Sequence, residues 1–219
     1  MNRSLSWLAT RPVVWALASM SFACLLGQFY NLWSMRFFAC SVLPIATALL
    51  AYVAYATRQQ PDRGEEAYTW IVEGALGGLF AAVVYDLFRL PFVLHGYPLF
   101  GVFPKFGQML LGAAPTDMGV AVQVTGWLYH FSNGMALGIM FLAMVLHPTP
   151  RNLIWGGALW AVGVETMLLL TPYYSFFHLK LDWNTFIALT LSAHLIFGVA
   201  LGLWCRRRLP ALNPTIARG

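Results

Sequence analysis

The chain has 219 residues, 59% of them hydrophobic and only 10% charged. A soluble domain carries about 25% charged residues, so there are too few charges here to cover a water-soluble globule. The same composition excludes a disordered chain, a collagen-like repeat and a disulfide scaffold. At about 20 apolar residues per spanning helix, the length allows about six spans and little else.

Six apolar stretches follow in chain order, at roughly 13–30, 34–57, 68–92, 119–146, 152–173 and 185–205. Each predicts a helix, because lipid offers no partner to backbone N–H and C=O groups and they must bond within the segment. The ten-residue alternation of a transmembrane strand is absent. The expected fold is all-α: a polytopic membrane protein with six transmembrane helices. Residues 1–67 supply two N-terminal helices and a cytoplasmic loop, 68–205 a four-helix core, and 206–219 a cytoplasmic tail. A cleavable signal peptide competes for residues 1–24, since Arg3 precedes an apolar run and Ser21-Phe22-Ala23-Cys24 looks like a lipoprotein site. Ser21 stands where such a site needs Leu, so the first stretch reads as a retained span.

The basic residues set the orientation. Arg3, Arg11, Arg58, Arg63, Arg151, Arg206, Arg207, Arg208 and Arg218 fall on one side of the expected membrane; Arg36, Arg89, Lys105 and Lys180 fall on the other. An excess of nine over four predicts that both termini are cytoplasmic. The net charge of +5 reflects that orientation and predicts no nucleic-acid partner, because no basic patch is interleaved with aromatics. Arg206–Arg208 reads as an anchor at the anionic leaflet. Cys24, Cys40 and Cys205 fall in or at the end of spans, as apolar filler and not as a disulfide framework. Trp33, Trp70, Trp155, Trp183 and Trp204 lie near span ends, as an interfacial belt requires.

The loop at 97–118 carries only Lys105 and Asp117 as charges, with prolines at 98, 104 and 115. That is too apolar for a solvated loop. It either lies in the interface or folds back into the protein as a cover, where irregular backbone is tolerated only if buried.

A repeat is visible in the second half. His130 to Gly138 and His194 to Gly202 both read H-x-x-x-G-x-A-L-G. In the preceding spans, Gly77-Gly78 is followed by Asp86 and Gly156-Gly157 by Glu165, each acid nine residues after the first glycine. The expected core is therefore two tandem helical hairpins, spans 3–4 and 5–6. His, Gly and Gly at i, i+4 and i+8 share one helix face, and glycines four apart let helices approach closely. The histidines then point to a helix seam.

At about 1.5 Å per residue, Asp86 and Glu165 lie roughly 8–10 Å below the outer ends of their spans, and His130 and His194 roughly 13–17 Å. Charged groups in hydrocarbon cost at least about 2.5–3.5 kcal/mol each, so they face the bundle and take partners. Three readings fit. Asp86 pairs with Arg89 and the histidines are merely satisfied; or His130, His194, Asp86 and Glu165 hold a transition metal, with haem on facing histidines as the lesser form; or acids and histidines relay protons. Asn133, one turn from His130, supports any of them. Enzyme chemistry has little basis. Ala193-His194 followed by two glycines is similar to the last catalytic span of rhomboid proteases, but that family's G-x-S-G nucleophile motif is missing. Phosphate-binding and dinucleotide-binding glycine loops are absent too.

Trp127-x-x-His130-Phe131-x-x-Gly134, the Gly156-Gly157 span ending near Pro172, and Ala193-His194-Leu195-x-x-Gly198-x-x-Leu201-Gly202 resemble small bacterial inner-membrane proteins of the YagU-like pattern, over residues 68–205. The resemblance implies a bacterial inner-membrane location and a four-span core, and brings no assigned activity. The expected function is thus a multi-pass inner-membrane protein with a polar site in the outer half of the bilayer that handles a metal ion or protons. The alternative is an accessory subunit of a larger membrane complex or a homo-oligomer.

Overall fold

A computed structural model describes residues 3–59, 61–145 and 149–212, with side chains omitted at 3–5, 61–65, 150 and 210–212. A short 3-10 turn, Arg3–Ala9, precedes eight helices: α1 (Arg11–Phe29), α2 (Met35–Arg58), α3 (Pro61–Leu94), α4 (Val102–Leu111), α5 (Val120–Met144), α6 (Pro150–Leu170), α7 (Tyr173–Phe176) and α8 (Trp183–Leu212). No strand occurs among the described residues.

Five helices, α1, α2, α3, α6 and α8, are long and apolar enough to cross a membrane. The sixth expected span, α5, has 25 residues, but His130, Ser132 and Asn133 in its middle hold its hydropathy below theirs. The outer helices begin with local signals the sequence supplies. Pro12 occupies the first turn of α1 and Pro150 that of α6, where the missing N–H costs nothing. Ser34 and Thr149 accept from the otherwise free first-turn N–H groups of Phe37 in α2 and Asn152 in α6.

Some boundaries differ from the sequence reading. The stretch expected to be a cytoplasmic loop before residue 68 is largely helix, because α3 starts at Pro61 and runs 34 residues. The expected tail from 206 continues α8 as far as Leu212; residues 213–219 lie outside the described residues. Within the Arg206–Arg208 run, Arg208 binds the buried Glu73 through Nε at 3.3 Å and a terminal nitrogen at 3.1 Å.

Helix α3 packs along α5, α6 along α8, and α3 also meets α8, while α1 lies on α5 and α2 on α1 and α3. The closest approaches fall at the glycines. A Cβ on Gly78 would overlap the backbone of Gly134, and one on Gly138 the backbone of Gly74. In α6 and α8, a Cβ on Gly157 would overlap Gly198, and one on Gly202 the backbone of Leu153. Small residues let dispersion contacts form between backbones, which is what holds helices together where lipid removes the hydrophobic drive.

One end of the bundle is tied by Arg11, which donates to the Val145 carbonyl at 2.5 Å and lies 4.4 Å over the Trp70 ring, and by the Glu73–Arg208 pair. The other end is closed by α4 and α7. The loop at 97–118 is neither solvated nor formless. It folds as α4 and returns onto α5, with Gly126 against the Phe103 carbonyl and Gly107 against that of Val122, contacts that leave no room for a side chain. Phe103 and Phe106 are buried beneath it, and the Lys105 ammonium donates to the Phe177 carbonyl, joining α4 to α7. Burial pushes the Lys105 pKa below its usual value.

Candidate functional site

The acids and histidines singled out by the sequence are brought together as two separate pairs. His130 Nε2 lies 2.8 Å from Asp86 Oδ2, between α5 and α3. His194 Nδ1 lies 2.7 Å from Glu165 Oε2, between α8 and α6. The local register explains both. Each histidine stands one turn before the glycine that touches the partner helix, and each acid stands two turns beyond the glycine of its own helix that meets that one. The seam that brings backbones close therefore aims both side chains across it.

The two pairs do not merge. The Tyr85 ring adjoins both, 6.0 Å from His130 and 5.2 Å from His194 by ring centres. Among the described residues no three His, Cys, Asp or Glu side chains lie close enough together to hold one metal ion. The expected four-ligand arrangement of His130, His194, Asp86 and Glu165 thus does not converge on a single point.

The surroundings of the two acids differ. Asp86 also meets Arg89 at 3.4 Å. Arg89 is buried, donates to the Leu99 carbonyl, and lies 4.8 Å over Tyr85 and 5.1 Å over Phe100. Guanidinium over ring faces keeps its charge in a largely apolar setting. Asp86 therefore has a permanent counter-charge. Glu165 has none. It is only 2% exposed, and its neighbours are His194 and the Thr190 hydroxyl, 2.6 Å from Oε1.

The hydrogen count at Glu165 is short. The Thr190 hydroxyl has one hydrogen, yet lies 2.6 Å from Glu165 Oε1 and 2.8 Å from the Phe186 carbonyl. His194 Nδ1 carries at most one hydrogen, and it is aligned with the Thr190 carbonyl at 2.9 Å. Glu165 Oε2, though close to Nδ1, is sealed and without an aligned hydrogen bond. A buried carboxylate left this way is costly. A proton on Glu165 removes the buried charge and completes one chain of bonds: Oε1–H donates to Thr190 Oγ1, Thr190 donates onward to Phe186, and Oε2 is left as a neutral carbonyl oxygen, which is cheaper to leave unpaired than a carboxylate.

Asn133 does not reach His130. Its Oδ1 accepts from Ser21 on α1, and the Tyr129 hydroxyl donates to the Ser21 carbonyl at 2.8 Å, so this group fastens α1 to α5. Both histidines, Tyr85, Arg89 and Asn133 line one cavity of about 120 Å³ in the α4 half of the bundle. Phe103 and Phe106 of α4 and Tyr173 of α7 also line it. Sequence reasoning missed Tyr85, Thr190 and the Glu73–Arg208 pair. Thr190 had a signal, since it stands one turn before His194 on the same face.

No protein-family model, no curated protein and no solved structure matches the chain.

Proposed function

We propose that the chain is a six-span protein of the bacterial inner membrane, with both termini cytoplasmic, and that its cavity in the outer half of the bilayer is a proton-exchanging site. The sequence pattern shared with YagU-like proteins supports the location, and the division of basic residues supports the orientation. Glu165 carries one exchangeable proton beside His194, Thr190 orients the carboxyl, and α4 covers the site. Asp86, Arg89 and His130 form the fixed-charge counterpart. The single observation that carries this reading is the missing hydrogen at Glu165, a carboxyl buried with no permanent cation beside it. A proton is favoured over a metal ion because the ligands stand as two separate pairs and, among the described residues, no three such side chains lie close enough to share one ion.

The contacts also support a duplication of the core. Residues at equivalent steps meet equivalent partners: Gly78 with Gly134 and Gly157 with Gly198, Ala82 with Gly134 and Ala161 with Gly198, Asp86 with His130 and Glu165 with His194. In the second unit Thr190 stands where the first has Gly126, so only the second has a hydroxyl beside its acid.

Substitution separates the two acids. Glu165→Gln keeps shape and a hydrogen, and is expected to leave the thermal midpoint of the detergent-purified protein within a few degrees of wild type. Asp86→Asn strands a buried guanidinium and is expected to cost about 3–5 kcal/mol. Equal losses from the two substitutions would contradict a protonated Glu165.

A further inference from the structure

We propose that the cavity binds a small uncharged molecule carrying a phenol-type hydroxyl on a single ring, admitted sideways from the lipid. The inference rests on the reading of Glu165 and His194 given above. With Glu165 protonated, His194 is neutral, and its hydrogen is on Nδ1, because that atom faces the Thr190 carbonyl, which can only accept. Nε2 is then a bare lone pair. His130 is the mirror case: Nε2 faces the Asp86 carboxylate and carries the hydrogen, leaving Nδ1 as the lone pair. The Asp86 carboxylate behind His130 and the Thr190 carbonyl behind His194 fix the orientation of each ring, as second partners do for ligating histidines.

Neither lone pair has a hydrogen-bond partner among the described residues, and neither does the Tyr85 hydroxyl. None of the three is sealed, for the sealed unpaired side-chain atoms among the described residues are Trp160 Nε1 and Glu165 Oε2. His194 is itself 8% exposed, so this is a buried base with one free position. Two acceptors ask for a hydrogen donor. Asp86 and Arg89 cancel, so they ask for no net charge.

The rest of the cavity sets size and route. Its walls are aromatic and aliphatic, and its volume of about 120 Å³ is near that of an engineered apolar cavity of about 150 Å³ that takes benzene. One ring fits. Leu25 and Leu26 of α1 form one wall, and Met167 and Leu168 of α6 another. These two helices do not pack along each other; Tyr173 and Phe176 of α7 meet Phe29 of α1 at one end of the gap, and in this reading the rest of it is the entrance from lipid. An uncharged phenol partitions into lipid and can pass there, whereas its anion cannot.

The test is fluorine NMR with 4-fluorophenol and fluorobenzene as probes, on the full chain in phosphatidylcholine nanodiscs, with empty nanodiscs subtracted. Saturable binding of 4-fluorophenol is expected, at least tenfold tighter than fluorobenzene, because a site built to bond a hydroxyl rejects the analogue that lacks it. Leu26→Trp, which fills the gap, and His194→Ala, checked for retained helicity, are each expected to weaken 4-fluorophenol at least tenfold. Equal binding of the two probes, or none above empty nanodiscs, overturns the proposal. The infrared carboxyl band of Glu165, measured on the same samples, separates the two readings. If the band is present and 4-fluorophenol does not bind, the ligand inference fails alone. If the band is absent, the proton reading fails, and the ligand class falls with it.

Discussion

Asp86 and Glu165 occupy the same step of their helices and each faces a histidine, yet each is neutralised differently. Asp86 has Arg89, three residues on and stacked over Tyr85. Glu165 has Thr190 and an imidazole. The i, i+4, i+8 spacing of histidine and glycine made the seam legible from the residues alone. Which nitrogen faces the acid was not legible: it is Nε2 in one pair and Nδ1 in the other, and that depends on rotamer and on the extra carbonyl at Thr190. The Glu73–Arg208 pair was hidden for a different reason. Its members are 135 residues apart and are joined only once α3 and α8 pack. Trp204 joins the same acid, its indole N–H 3.2 Å from Glu73 Oε2. At this scale the separation of Glu165→Gln from Asp86→Asn is the deciding comparison.

At the scale of elements, the glycine seams make a sharp distinction between glycines. A Cβ on Gly198 would meet the backbone of Gly157 and the Ala161 methyl. Gly198→Val is therefore expected to cost about 3 kcal/mol or more by overpacking, read as a lowered thermal midpoint. Nothing lies within 4 Å of a Cβ on Gly163, so Gly163→Ala is expected to be neutral or to gain up to about 1 kcal/mol from helix propensity. The start of α8 supplies a pH-dependent case. Asp182 accepts from the Thr185 amide at 3.0 Å, and its hydrogen bonds with Thr185 hold its carboxyl pKa below the usual 3.8. A carboxyl lowered on folding stabilises fully above its unfolded value and loses that contribution as pH falls through the folded one. Asp182→Ala is thus expected to lower the midpoint at pH 7, and the two proteins to converge in strong acid; a gap that persists there would show that the cap does not act through the ionised carboxylate. The helix α4 was the least legible element. Its apolar character was plain, but its folding back onto α5 depends on Gly107 and Gly126 meeting across 19 residues.

For the whole molecule, hydropathy fixes the class, and the count of spans turns on α5, the helix that the site residues make less apolar. Six spans place residue 59 and residue 149 on one side and residues 116 and 182 on the other. In a chain with Cys40→Ala, a membrane-impermeant maleimide is expected to label Thr116→Cys and Asp182→Cys on intact cells, and Gln59→Cys and Thr149→Cys only after lysis. Labelling of residues 116 and 182 from opposite sides would contradict the six-span arrangement.

The central claim is that a proton resides on Glu165. Infrared spectra of the reconstituted protein at neutral pH, in H2O and D2O, test it most directly. The account predicts a protonated-carboxyl C=O band that shifts on deuteration and disappears in Glu165→Gln while remaining in wild type and Thr116→Cys. A wild-type spectrum with no such band, or one unchanged in Glu165→Gln, would contradict it.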